Sequence, residues 1–118
     1  MSTPAMTAGL RAYGAMSAVR SRGAQEADVF YRANGALRAA QQGARMDRVR
    51  ALADNRLLWT TVLALVYDPA SKLPRELRGA IASIGLAVQR EANRENPNLD
   101  FLISVNENVA AGLSGQGR

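Results

Sequence analysis

The arrangement closest to a reactive constellation is Glu91 and Glu95, one helical turn apart, with Arg90 and Arg94 interleaved. Two carboxylates at this spacing begin a divalent-cation site, but such a site takes roughly six or more oxygen ligands. Nothing beside the pair supplies them, so it reads as a solvated, charge-paired helix face. Histidine and cysteine are absent altogether. That removes disulfides, thiolate nucleophiles, Cys/His zinc sites and every triad with an imidazole base. Lys72 is the single lysine, and the ten acids are scattered without a paired pattern. The glycines of Gly112 to Gly117 follow no strand, so they do not form a phosphate-binding loop. The expectation is a protein that is not an enzyme, with no cofactor and no metal.

Binding chemistry has more to work with. Fifteen Lys and Arg against ten Asp and Glu give the 118-residue chain a net charge of +5. Such a balance suits RNA, DNA or an acidic partner, and equally serves solubility. The local basic cluster is Arg45, Arg48 and Arg50. These are the candidate RNA contacts, although no aromatic residues are interleaved for base stacking. A solvated helix start is the alternative. Asn106 falls on an otherwise apolar helical stripe, and Asn55 stands one turn before Trp59, the only tryptophan. A buried asparagine must find partners or cost about 1–3 kcal/mol. Either these amides form an internal network that fixes helix register, or they reach a partner. Trp59 is likewise a core residue or an interface anchor.

The elements that must position these residues all read as helices, since apolar residues recur at steps of three and four and no run alternates like a strand. A first helix is expected from Ala5 to Val19, with Met6, Leu10 and Tyr13 on one face. A second, Ala24 to Ala44, carries Val29/Phe30, Ala33, Leu37 and Ala40. Asp47 suits the N-cap of a third, whose stripe of Leu52, Trp59, Val62, Leu63 and Val66 makes it the central helix. Asp68-Pro69 ends it. Pro74 fits the first position of a fourth helix, with Leu77, Ile81, Ile84 and Val88 in register. Gly85 beside that stripe is either a point of close helix approach or a neutral small residue. Asn96 and Pro97 open a fifth helix, and Gly112 is positioned to cap its end. The fold class is all-α: one domain over residues 1–118, a small bundle of four to five helices with short loops and loose ends near 1–4 and 114–118. No signal peptide is expected in residues 1–10, and no apolar run approaches the roughly 20 residues of a membrane helix. A cytoplasmic protein without membrane contact is therefore expected.

Several segments together resemble one family. Asn55-Arg56-Leu57-Leu58-Trp59-Thr60 is similar to the N-R-x-[LM]-W-[ST] signature of the flagellar biosynthesis regulator FlaF family. Leu73-Pro74-Arg75-Glu76-Leu77-Arg78 resembles its L-P-x-x-L-R. Ile81 and Ile84-Gly85-Leu86 resemble the I-x-x-L-[GS]-L that follows, and Val105 to Leu113, with Asn106, resembles the terminal [DV]-N-[RE]-x-[IMV]-x-x-G-L. Ala12-Tyr13 and Glu26 match its start. Two places depart from the pattern: Val105-Asn106-Glu107 stands for acidic-Asn-Arg, and Arg20-Ser21-Arg22-Gly23 for a proline-containing turn.

The resemblance implies a helical, non-enzymatic, cytoplasmic protein that supports flagellin synthesis and secretion. Such a protein acts as a flagellin-binding chaperone or regulator together with the opposing regulator FlbT. Its partner-binding residues are expected at Asn55, Arg56, Trp59, Leu77, Arg78, Ile81 and Asn106. The rival expectation is direct binding of flagellin mRNA through Arg45, Arg48 and Arg50.

Overall fold

The computed structural model describes residues 25–114. Among these residues there are four helices and no strand: α1 over residues 25–41, α2 Arg45–Tyr67, α3 Arg75–Ala92 and α4 Leu99–Leu113. The helix expected over Ala5–Val19 lies outside the described residues, as does Gly115–Arg118. No described helix is long and apolar enough to cross a membrane.

Helix boundaries follow local hydrogen bonding more closely than residue type alone. Asp47 is the third residue of α2 rather than its N-cap, because the backbone turns at Ala44 and the Asp47 carboxylate reaches back to accept from the Ala44 N–H at 3.1 Å. Such a reach satisfies one of the orphan donors at a helix start. Pro74 is the N-cap of α3, one residue earlier than expected, and its carbonyl accepts from the Arg78 N–H. The last helix begins at Leu99, not Pro97. Asn98 caps it by accepting from the Phe101 N–H at 3.1 Å, while Asn96 and Pro97 are engaged by Arg48 instead. Gly112 lies inside α4, which ends at Leu113 with Ser114 as its C-cap.

α3 lies along α2 as an antiparallel hairpin and meets α4 over a much shorter stretch. Gly85 sets the spacing of the hairpin. A Cβ built on it would stand 2.6 Å from Leu63 Cδ2 and 3.2 Å from Trp59 Cε3, so the close approach requires glycine. α4 connects to α1 through Asn34, Arg38 and Gln41, and to α2 through Asn55 and Trp59. The core collects Phe30 and Leu37 of α1, Leu52 and Trp59 of α2, Val88 of α3 and Leu99, Leu102 and Ile103 of α4. Phe30 meets Trp59 edge to face, ring centroids 5.7 Å apart, an arrangement that adds to area burial. Val29, Leu77 and Ile84 were expected on apolar stripes and are instead exposed, as is Leu65 of α2.

Candidate functional site

The densest polar chemistry of the described residues is inside the bundle. Asn34, Asn55 and Asn106 are buried with no exposed surface, alongside the equally buried Trp59. Their bonding order follows from one fixed point: an indole N–H can only donate. Trp59 Nε1 donates to Asn106 Oδ1 at 2.8 Å. That turns Asn106 Nδ2 away, and its two hydrogens go to Asn55 Oδ1 at 2.8 Å and Asn34 Oδ1 at 3.0 Å. Asn34 Nδ2 in turn donates to the Ile103 carbonyl at 3.0 Å. Three helices thus share one amide hub, with Asn55 Nδ2 left without a partner. Low local dielectric strengthens such a network and raises the cost of breaking it.

Around the hub, the rest of the Asn55–Thr60 segment holds α3. Arg56 Nη1 donates to the Ala92 carbonyl at 3.1 Å. Ala92 is the last residue of α3, so the guanidinium satisfies an orphan acceptor and sits at the negative end of the dipole. Gln89 Nε2 donates back to the Arg56 carbonyl and to Thr60 Oγ1.

A second polar cluster closes the end of the bundle where α3 turns into α4. Arg48 Nη2 bonds Asn96 Oδ1 at 3.0 Å and the Pro97 carbonyl at 2.9 Å. Glu91 Oε2 accepts from the Asn98 N–H at 2.8 Å, and Arg94 pairs with Oε1. The bond from the Asn98 backbone holds the Glu91 carboxyl below its ordinary range, against the opposing effect of burial and with lesser help from Arg94. Arg38 and Glu107 form an ion pair between α1 and α4, which gives the departure at Glu107 a local use.

The residues expected to bind a partner therefore divide. Asn55, Trp59 and Asn106 are internal and offer no surface in this arrangement, which corrects the expectation of direct contact through them: the network reading of the two amides and the core reading of the indole are the ones the geometry fits. Arg56 is half-buried and committed to Ala92. Leu77 is exposed, and Arg78 and Ile81 are half-buried beside it. Leu77, Ile81, Ile84 and Val88 form one row along α3. The row is partly open at Leu77 (45%) and Ile84 (37%) and closes completely at Val88. Arg45, Arg48 and Arg50 do not form a patch. At about 100° per residue they project to different sides of α2, and Arg48 is spent on the α3–α4 turn.

Asn34 completes the hub and was not singled out from sequence. Its signal was present: it lies four residues after Phe30 and three before Leu37, on the buried stripe of α1. Among the described residues, no three acidic side chains gather as metal ligands.

No curated protein and no solved structure matches the chain. The family profile described as Flagellar protein FlaF does match, over residues 10–113. That span contains the buried hub, the α3 row and the α3–α4 turn alike, and by it the chain belongs to the FlaF family of flagellar proteins.

Proposed function

We propose that this flagellar protein is a non-enzymatic adaptor that binds flagellin, acting as a chaperone or regulator in concert with FlbT. The observation that supports the reading is the apolar row on α3. Leu77 and Ile84 stand partly in solvent, Ile81 lies half-buried between them, and Leu73 is exposed just ahead of the helix. The row opens toward the start of α3. An amphipathic helix from a partner would extend the bundle there by filling the place of a missing neighbour. Flagellin is the partner that the family's flagellar association favours.

The test is capture of purified flagellin by the full chain, wild type against Leu77→Asp and Ile84→Asp. Each variant should lose about tenfold or more in affinity, as hot-spot truncations do, with its thermal midpoint nearly unchanged. Undiminished capture by both folded variants would remove α3 from the interface. Binding of flagellin leader RNA at low salt, with steep weakening as salt rises, would favour the rival reading instead.

A further inference from the structure

α2 carries a second apolar face, opposite the hub. Met46, Ala53, Leu57 and Ala64 follow one another at steps of seven, four and seven, which returns each to the same side of a helix. All four are exposed, Leu57 to 67%. Thr61 belongs to this face too. Its hydroxyl is tied to the Leu57 carbonyl of its own helix at 3.0 Å. Exposed charges of both signs lie along it: Arg50, Asp54 one turn further on, and Asp68 at the C-cap.

These positions are arranged symmetrically. Arg50 precedes Leu57 by seven residues, and Asp68 follows Thr61 by seven. Arg50 and Asp68 are five turns apart, about 27 Å along the axis, and share one side of the helix. Reversing the helix therefore places arginine where aspartate was, with Leu57, Thr61 and Ala64 between and Asp54 beside them, facing Ala64 of the other copy.

We propose that this face of α2 binds a second copy of the chain, α2 packing antiparallel on α2 about a two-fold axis between Leu57 and Thr61. Charge complementarity selects both the occupant and the direction. In an isologous contact every pair occurs twice. Antiparallel packing sets Arg50 against Asp68 of the other copy at both ends, Leu57 against Thr61, and Ala53 against Leu65. Parallel packing would set arginine against arginine and aspartate against aspartate. The α3 row belongs to another helix and shares no residue with this face, so the two surfaces are independently testable by substitution.

The experiment is sedimentation velocity of the full chain over a concentration series at low salt, where exposed ion pairs are least screened. Wild type should show a monomer–dimer equilibrium. Arg50→Asp and Asp68→Arg should each weaken it roughly tenfold, since two pairs, each worth up to about a factor of five, become repulsive. An equimolar mixture of the two variants should dimerise again, because each supplies the charge the other lacks. Leu57→Asp should abolish association, with helix content by circular dichroism confirming that it folds. A wild type that stays monomeric throughout, a dimer indifferent to these changes, or a mixture that stays monomeric would each overturn the proposal. So would Leu57 proving to contact flagellin in a monomer.

Discussion

Around Asn106, three asparagines and an indole from three helices share one site without solvent, while along the first turns of α3 the apolar side chains of Leu77 and Ile84 stand partly in water. Polarity is inverted between the two regions. In the hub, each amide is held by a partner whose loss leaves other buried groups unpaired, so the cost of a change lies in folding. On α3, Leu77 and Ile84 are left partly exposed by the described residues, so a change at these two positions costs little stability and is felt where a partner binds. Residues of one family signature thus serve two ends. Asn55, Trp59 and Asn106 set how the helices meet, and Leu77 with Ile84 presents a surface that those contacts hold in place.

The contrast can be broken most severely at Trp59. Trp59→Ala removes an indole with no exposed surface and one end of the hub. It should cost about 3–5 kcal/mol in urea unfolding, so any binding it loses reports unfolding and not a lost contact. Asn106→Ala should follow at about 3 kcal/mol, stranding the Trp59 N–H and two amide oxygens. Glycines in α3 sharpen the comparison within one helix. Gly85→Ala drives a Cβ into Leu63 and should lose about 1 kcal/mol net of the helix propensity gained. Gly79→Ala meets nothing within 4 Å and should gain up to about 1 kcal/mol. Leu77→Asp, at the open end of the row, should move stability by no more than about 0.5 kcal/mol.

The smallest effect concerns pH. The Glu91 carboxyl sits below its ordinary range in the folded chain, chiefly through the Asn98 N–H. Its contribution is therefore fully present above the ordinary carboxylate value and is lost as pH falls through the lowered one. The stability gap between wild type and Glu91→Gln should be greatest near neutrality and close on acidification. A gap that widens in acid would reverse the sign assigned here.

Much of this organisation was legible in the residues. Helical periodicity located α2, α3 and α4, and the amide on the α4 stripe marked Asn106 as a group needing partners. Gly85 was visible as a possible close approach, but only Leu63 across the hairpin decides it. Asn34 escaped notice because one more polar residue on a helix that also carries Glu26, Asp28, Arg32 and Arg38 resembles a surface position until its place between Phe30 and Leu37 is weighed. The exposed faces were harder still. Leu57, Leu65 and Leu77 fit apolar stripes as well as Trp59 and Val88 do, and periodicity cannot say which of two apolar sides receives a neighbour. The cap of α4 stands two residues later than expected, at Asn98, because Arg48, distant in sequence, claims Asn96 and Pro97.

The central claim is that the signature polar residues act on one another inside the bundle. A double-mutant cycle between Trp59→Phe and Asn106→Leu, read as unfolding free energy in urea, tests it most directly. In the wild-type background, Trp59→Phe removes the donor from a satisfied bond and should destabilise. In the Asn106→Leu background the same change removes a buried, unpaired N–H and should cost nothing or stabilise, a coupling of about 1 kcal/mol or more. Costs that add within about 0.3 kcal/mol would show that the two side chains do not share a bond in the folded chain, and would contradict the account.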